Sequence, residues 1–230
     1  MMHAINFDVE KHEYSINGQV KPSVTQILRG VNLSPRFDGV SDVDMTWYMD
    51  RGTMVHKAMH HICDWTVKEA NKDNPMPGDK AGKFLHDYIQ LQDDIIKGYL
   101  ISGMHFLGGT LLSPVPFITE LPVYCESQDY CGTIDLIATV EFEGERHEAI
   151  IDWKCGQPQQ TTAFQLAGYA LAYSKDKHRD LLRLAVHLDK KGGEPRILPY
   201  RQQGDFQVFK SARYLYSKLD ELNLIKKEKS

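Results

Sequence analysis

The chain changes its hydrophobic periodicity near Pro116, and this change constrains the fold more than any other feature of the sequence. Before it, apolar residues recur at three- and four-residue steps from 43 to about 70 and from about Lys80 to Ser102, which predicts two long helices. The segment KDNPMPGD lies between them and interrupts the helical pattern with two prolines and a glycine. After Pro116 the apolar residues alternate with polar ones, which predicts strands.

The predicted strands are three consecutive segments: FITELPVYCE, CGTIDLIATVEFEGE and HEAIIDWK. Glu143-Gly144 marks a hairpin turn between the second and third of them. Further elements are predicted downstream: a helix from Thr161 to Ser174, strands at Leu182 to Leu188 and near Arg196 to Arg201, and a helix from Asp205 onward. Helices precede and follow the strands, which indicates an α/β or α+β layer fold with a central mixed, mostly antiparallel sheet.

The amino-terminal region predicts a short lead-in to this fold. The alternation in INFDVEKHEYSING, closed by Asn17-Gly18, predicts a small strand pair, and Ser23 with Gln26 has the spacing of a helix capping box. In the helix predicted from Lys80, the expected apolar stripe is Phe84, Tyr88, Leu91, Ile95 and Tyr99. With 230 residues and no internal repeat, we expect one domain: a lead-in at 1–42, a helical part at 43–112, and the sheet with its helices at 113–230.

Composition limits the partners and the compartment. The 27 Lys and Arg against 31 Asp and Glu give a formal charge of -4, so a nucleic-acid site would have to be a local basic groove. The terminal Lys226, Lys227 and Lys229 are a weak signal, because such tails are commonly solvated. The four cysteines form no C-x-x-C pair, the segment MMHAINFDVE has no basic region followed by an apolar run, and no apolar run reaches roughly 18 residues, which together predict a cytoplasmic protein without membrane contact.

The residues that carry chemistry lie in the alternating region. Asp152 and Lys154 are two apart in EAIIDWKCG, so on a strand their side chains leave the same face while Trp153 points the other way. Asp135 lies among apolar residues, where an unpaired carboxylate is costly to bury. If the Glu143-Gly144 hairpin makes the two strands neighbours, Asp135 and Asp152 form an oxygen-rich site suited to Mg²⁺ or Mn²⁺.

Such a site has the parts that phosphodiester hydrolysis needs: a metal that polarises the phosphoryl oxygen and activates water, and a cation that orients the water or offsets charge. Asp135 and Asp152 would supply the first part, and Lys154 the second. The alternative is a surface ion pair between Asp152 and Lys154 with Asp135 capping a turn, which is the more common origin of an isolated D-x-K string.

The ordered set GTID, IIDWKCG and FQLAGYALAY resembles the PD-(D/E)XK nuclease superfamily, in particular its RecB-like exonuclease branch. The resemblance covers about residues 51 to 174 and implies a restriction-endonuclease-like core. It makes Asp135 the first metal-binding acid, Asp152 and Lys154 the D-x-K pair, and the Trp153 carbonyl a further ligand. It also makes Gln165 and Tyr169 the Q-x-x-x-Y pair of the downstream helix, which would either bind the substrate backbone or orient Lys154, although Tyr169 packing in the core is an equal alternative.

Two upstream residues extend the resemblance. His56 ends the string Gly52-Thr53-Met54-Val55-His56, which is similar to the branch's G-T-x-x-H string and implies a metal-ligating histidine. Glu120, in FITELPVY, matches an acidic position that implies a catalytic role, either as a ligand or behind one. His56 and His60 also form H-x-x-x-H, but Lys57 stands where a zinc protease needs Glu, and His60 and His61 are more simply packed or solvated.

The resemblance implies a DNA exonuclease with one or two Mg²⁺ or Mn²⁺ ions, acting on single- or double-stranded DNA ends in recombination, repair or phage DNA processing. No cysteine follows Cys155, so the iron-sulfur cluster of some relatives is not expected. We expect the cytoplasm of a bacterial or phage-infected cell, and a helicase or recombination partner stays open. The alternatives are an endonuclease or nickase with the same centre, and a non-catalytic nuclease-derived module that binds DNA or inhibits.

Overall fold

A computed structural model describes residues 4–8, 11, 13–34, 42–110 and 118–225. Its strands are β1 (Ile5–Asp8), β2 (Glu13–Ile16), β3 (Gln19–Lys21), β4 (Ile118–Cys125), β5 (Tyr130–Phe142), β6 (Glu145–Lys154), β7 (Leu182–His187) and β8 (Arg196–Pro199). Its helices are α1 (Val24–Gly30), α2 (Asp42–Ala70), α3 (Gly78–Gln90), α4 (Asp94–Thr110), α5 (Thr162–Tyr173) and α6 (Gly204–Glu221).

The central sheet has the order β4-β5-β6-β7-β8. Its neighbours pair antiparallel except β6 and β7, which run parallel and are joined by the crossover that contains α5. The predicted mixed, mostly antiparallel sheet flanked by helices is therefore confirmed. Within the described part of the chain, no helix is long and apolar enough to cross a membrane.

The two faces of the sheet form two apolar cores. Helices α2, α3 and α4 cover one face, and α1, α5 and α6 cover the other. Along β6 the residues alternate between them: Ile151 and Trp153 pack in the first core, and Ile150 packs in the second. Asp152 and Lys154 therefore share one face, opposite Trp153, as the sequence predicted, and it is the face that α5 covers.

Tight turns set the register of both sheets. Glu143 and Gly144 have φ values of 54° and 82°, so the β5–β6 hairpin has the two left-handed residues that a two-residue turn favours. Asn17 and Gly18 form a similar turn, but it joins β2 to β3. The amino-terminal sheet therefore has three strands where the sequence predicted a pair.

The first helix begins as its sequence predicts. The backbone N–H of Gln26 donates to Oγ of Ser23 at 3.1 Å, and the Ser23 N–H donates to Oε1 of Gln26 at 2.9 Å. These reciprocal bonds satisfy two donors that a helix amino terminus would otherwise leave free. They close the capping box and fix where the chain enters α1.

The helix predicted from Lys80 to Ser102 is wrong as one element, because it is two helices broken at 91–93. Oδ1 of Asp93 accepts from the N–H of Ile95 at 2.9 Å, which is the hydrogen-bond pattern of a helix start. The predicted stripe fails with it: Phe84, Leu91 and Ile95 are exposed, and Tyr88 is only partly buried. The buried apolar positions among the described residues of the two helices are Leu85, Ile89, Ile96, Tyr99, Leu100 and Phe106, so Tyr99 is the one member of the predicted stripe that is buried.

A buried ion pair joins α6 to the sheet. Nη2 of Arg183 in β7 lies 3.1 Å from Oδ2 of Asp205 in α6, and the guanidinium also donates to the carbonyls of Ala163 and Gln202. Its charge faces the ring of Phe206, 4.5 Å from the ring centre. This network holds the starts of α5 and α6 against β7.

Some predictions concern residues outside the described ranges. The change of periodicity at Pro116 and the lysines Lys226, Lys227 and Lys229 lie there, and the first described residue of β4 is Ile118. The four cysteines all lie inside the described ranges, and all four are free thiols.

Candidate functional site

The site forms where β5 and β6 diverge. Their backbone pairing includes Leu136 opposite Ile151 and goes no further in that direction. The next free amide of β6, the N–H of Trp153, donates instead to Oδ2 of Asp135 at 2.9 Å. The Asp135 carboxylate thus takes the place of a backbone carbonyl, which explains how an acid is accommodated in an apolar segment.

Glu120 approaches from β4 through an unusual backbone conformation. Thr119 pairs with Leu136 and Leu121 with Ile134, so Glu120 lies opposite Asp135. Its φ is 48°, in the left-handed region that non-glycine residues rarely adopt and that costs on the order of 1 kcal/mol. The pairing of β4 with β5 omits Glu120, and its strained backbone conformation holds its acidic side chain at the site.

His56 reaches the same point from α2. Its Nδ1 lies 3.3 Å from Oδ2 of Asp135, and its Nε2 lies 2.9 Å from the carbonyl oxygen of Trp153. One ligand atom from each of His56, Glu120 and Asp135 lies within 4.8 Å of the others. Two ligands bound to one ion at about 2.1 Å lie roughly 3 to 4 Å apart, so the separation of His56 and Asp135 fits a shared cation.

Asp152 and Lys154 lie beside this cluster. Nζ of Lys154 is 2.6 Å from Oδ2 of Asp152, and Asp152 is almost fully buried at 2% exposure. The contact is an ion pair that leaves Oδ2 of Asp152 without an aligned hydrogen-bond donor. An acid this deeply buried needs a compensating cation, and Lys154 provides one.

Gln165 connects these groups through α5. Its Oε1 accepts from Nζ of Lys154 at 3.1 Å, and its Nε2 donates to Oδ1 of Asp152 at 3.3 Å and to the hydroxyl of Tyr169 at 3.1 Å. Tyr169 is 7% exposed and packs on Gly132, where a Cβ would come within 2.8 Å of its ring. The structure thus brings Gln165 to the D-x-K pair, and it places Tyr169 behind Gln165 in the core.

The acidic residues of the centre lie close together and shift the pKa values of His56 and Glu120. Burial lowers the pKa of His56, but Asp135 outweighs it and raises that pKa to about 9. Burial, reinforced by Asp135, raises the pKa of Glu120 to about 7. An imidazolium therefore stands among the carboxylates at neutral pH, where a metal ion would supply the same positive charge.

The D-x-K pair shows the same competition between burial and charge. Burial raises the pKa of Asp152 above its usual range, although the nearby Lys154 lowers it. Asp135 is also buried, but His56 and the Trp153 amide hold its pKa below the usual range. Burial lowers the pKa of Lys154, but the neighbouring Asp152 raises it more, so Lys154 stays an ammonium group. It can act as a cation at neutral pH and not as a proton acceptor.

The charges of the centre match a divalent cation. When His56 is neutral and the carboxylates of Glu120, Asp135 and Asp152 are all ionised, the acids carry -3 and Lys154 carries +1, which leaves -2 for a bound ion to neutralise. Hard oxygen donors with one imidazole are a donor set that Mg²⁺ and Mn²⁺ accept. The side chains of His56 and Lys154 are 32% and 26% exposed, so the centre can be reached from solvent.

The other histidines of α2 have their own partners. Nδ1 of His60 lies 3.1 Å from the hydroxyl of Thr119, which donates to the Asp135 carbonyl, and His61 stacks on Tyr88 at 4.6 Å. His60 therefore supports the strands that carry the acids. An H-x-x-x-H pair sharing one ion through His56 and His60 is not formed.

Sequence reasoning missed the residues that precede His56 on α2. Nη2 of Arg51 donates to the carbonyl of Cys155, directly after Lys154, at 3.3 Å. Its guanidinium lies 4.8 and 5.0 Å from the ring centres of Trp47 and Tyr48. The signal was present in the string WYMDR, where aromatic residues stand three and four positions before an arginine at helical spacing.

Comparison with known proteins found no relative of this chain. No protein-family model matches the chain, and no curated protein matches it at a significant level.

Proposed function

We propose that the protein is a Mg²⁺- or Mn²⁺-dependent nuclease that hydrolyses phosphodiester bonds in DNA. The observation that carries the proposal is the meeting of His56, Glu120 and Asp135 within 4.8 Å, beside the Asp152–Lys154 pair. These are the residues that the resemblance to the PD-(D/E)XK superfamily selects, and they lie on four different elements. An isolated surface ion pair, the alternative interpretation of D-x-K, does not account for three further polar groups at the same point.

The fold supports the same proposal. Strands β4, β5 and β6 form an antiparallel meander, β7 is added in parallel after α5, and helices cover both faces. We propose that this is a restriction-endonuclease-like core, with residues 1–230 forming one nuclease domain and β5 and β6 carrying the acids. In this arrangement the loop after Lys154 leads directly into the helix that bears Gln165.

The residues divide the work of hydrolysis. His56, Glu120 and Asp135 would hold the metal. Asp152, whose charge acts on His56, and the Trp153 carbonyl, which lies 2.9 Å from Nε2 of His56, are the candidates for further ligands. The bound metal would polarise the phosphoryl oxygen and lower the pKa of water. The Lys154 ammonium, oriented by Gln165, donates hydrogen bonds to the attacking water or to the phosphate oxygens and offsets their developing charge.

Replacement of single site residues tests the proposal. Asp135→Ala and Lys154→Ala are expected to abolish Mn²⁺-stimulated degradation of linear DNA while circular dichroism shows an intact fold. Glu141→Ala is the matched control, because Glu141 is an exposed acid on the same strand as Asp135. Undiminished activity in both site variants would remove the hydrolytic function.

Linear and closed circular DNA distinguish an exonuclease from an endonuclease. We propose an exonuclease of DNA recombination, repair or phage DNA processing, which degrades linear DNA and leaves closed circular DNA intact. Cleavage of closed circles would instead identify an endonuclease or nickase with the same centre. A non-catalytic DNA-binding or inhibitory module requires a centre that binds no Mn²⁺, and calorimetry decides that point.

A further inference from the structure

The first half of α2 presents an exposed apolar surface beside the candidate centre. Trp47, Tyr48, Met49 and Met54 are exposed by 45%, 41%, 58% and 39%, and Arg51 lies among them. We call these five residues the α2 patch. Large apolar side chains clustered at this exposure are uncommon on a surface that binds nothing.

Arg51 gives the α2 patch a fixed positive charge. Its guanidinium contacts the rings of Trp47 and Tyr48 and lies 5.2 Å from the buried ring of Tyr99, while its Nη2 donates to the carbonyl of Cys155. The side chain is therefore held by both α2 and the end of β6. Its position favours an anionic ligand that also offers flat apolar surface to the two exposed rings.

The α2 patch continues into the candidate centre. Tyr48 precedes His56 by eight residues, which is about 12 Å along the helix axis. Gly52 lies between them, and a Cβ at that position would meet no atom within 4 Å, so the helix surface is open there. A ligand chain can therefore pass from the rings to the acids without crossing a side chain at Gly52.

We propose that the α2 patch binds unpaired bases of the substrate strand, so that the nuclease acts on single-stranded DNA or on frayed ends; this inference rests on the proposed function. Stacking needs the free faces of a base, which a paired and stacked duplex does not offer. Trp47 and Tyr48 supply the rings, and Arg51 supplies a cation for the backbone phosphates. Because Tyr48 precedes His56 by about 12 Å along the helix axis, a base held at its ring is a few nucleotides from the scissile bond.

A binding assay without metal tests this inference independently of cleavage. The anisotropy of a labelled short oligothymidylate and of an abasic strand of equal length is measured in EDTA with the full-length chain. The wild type is expected to bind the oligothymidylate more tightly than the abasic strand. Trp47→Ala is expected to weaken oligothymidylate binding by about five- to a hundredfold and to leave abasic binding unchanged, since base–aromatic stacking contributes roughly 1–3 kcal/mol.

Two further variants control the assay. Trp47→Phe keeps a stacking ring and is expected to restore most of the difference between the two strands. Tyr214→Ala removes a ring that is 68% exposed on α6 and is expected to bind both strands as the wild type does. Thermal melting of each variant confirms that the fold is retained.

The outcomes distinguish this inference from the proposed function. Equal loss of affinity for both strands in Trp47→Ala, or no loss at all, overturns base stacking, and so does a wild type that binds both strands alike. A change of oligomeric state without a change in DNA binding assigns the α2 patch to a protein partner and also overturns it. If the chain cleaves no DNA but Trp47 still discriminates the two strands, hydrolysis fails and the binding site remains.

Discussion

Nδ1 of His56 and Oδ2 of Asp135 lie 3.3 Å apart, and this contact stands where two ligands of one cation would meet. Without an ion, the proton on His56 supplies the positive charge that the acids need. Metal and proton therefore compete for one position.

Binding of Mn²⁺ is expected to release about one proton from His56 at about pH 8. That pH lies above the pKa of Glu120, about 7, and below that of His56, about 9, so Glu120 is mostly ionised there while the His56 imidazole is mostly protonated. Calorimetry in two buffers of different ionisation enthalpy measures the released proton. His56→Ala should lose this buffer dependence, and a wild type whose binding enthalpy is the same in both buffers contradicts the assignment.

Glu120→Gln is expected to stabilise the ion-free protein above about pH 7 and to weaken Mn²⁺ binding. The folded-state pKa of Glu120 is raised to about 7, so its stabilising contribution is complete below the unfolded value and is lost as the pH rises through about 7. With allowance for solvent screening, we expect a difference on the order of 1–2 kcal/mol between Glu120→Gln and the wild type above that pH.

Denaturant unfolding in EDTA at about pH 5 and about pH 8 measures this difference, which should be small at the lower pH. Glu141→Gln, on the neighbouring strand and exposed, serves as the control and should show no comparable change. A wild type whose stability relative to Glu120→Gln is the same at both pH values would show that Glu120 is not held in a crowded acidic site.

Gln165→Leu is expected to lower kcat by about ten- to a hundredfold while Mn²⁺ affinity changes little. The amide of Gln165 bonds both members of the D-x-K pair, and its loss frees the Lys154 ammonium from its position. Steady-state kinetics and calorimetry separate the two effects. Tyr169→Phe removes only the hydroxyl beyond Gln165 and should have the smaller effect on kcat; the reverse order would assign the substrate contact to Tyr169.

Asp205→Ala is expected to destabilise the fold by about 3–5 kcal/mol, because it leaves the Arg183 guanidinium buried without its acid. Denaturant unfolding measures the loss. Neither Arg183 nor Asp205 belongs to the candidate metal centre, so the Mn²⁺ affinity of the folded variant should stay close to that of the wild type. A loss below about 1 kcal/mol would mean that water or other groups solvate Arg183.

Two glycines of α4 provide a test of packing with opposite expected signs. A Cβ at Gly98 would lie 1.9 Å from the backbone oxygen of Lys190, so Gly98→Ala must displace backbone and should cost about 3 kcal/mol or more. A Cβ at Gly108 would meet nothing within 4 Å, so Gly108→Ala should stabilise the helix by up to about 1 kcal/mol. Thermal melting of the two variants checks both signs.

Local patterns predicted much of the fold correctly because they report which side chains are buried. The alternation through β5 and β6 and the Glu143-Gly144 turn identified the hairpin, and the two-residue spacing of Asp152 and Lys154 identified their common face. The break in the second helix was missed because the apolar spacing continues across 91–93, while a single side chain, Asp93, captures the backbone of the next turn.

The geometry of the site depended on long-range contacts that no local pattern contains. The left-handed conformation of Glu120 follows from its position opposite Asp135, and the link from Gln165 to Lys154 follows from the packing of α5 on the sheet. The spacing of Arg51 from Trp47 and Tyr48 was visible in the sequence, but its contact with the carbonyl of Cys155, 104 residues away, was not.

Strand β6 has a practical consequence for mutagenesis. Its successive residues serve alternately as interior packing and as reactive groups, with Trp153 1% exposed between Asp152 and Lys154. Substitution of Trp153 would abolish activity by disrupting the core, and substitution of Lys154 would abolish it by removing a reactive group. Loss of activity alone therefore does not distinguish a structural role from a chemical one in β6. His56 and Glu120 arrive from separate elements at the rim, and variants there can report on the reaction while the interior is undisturbed.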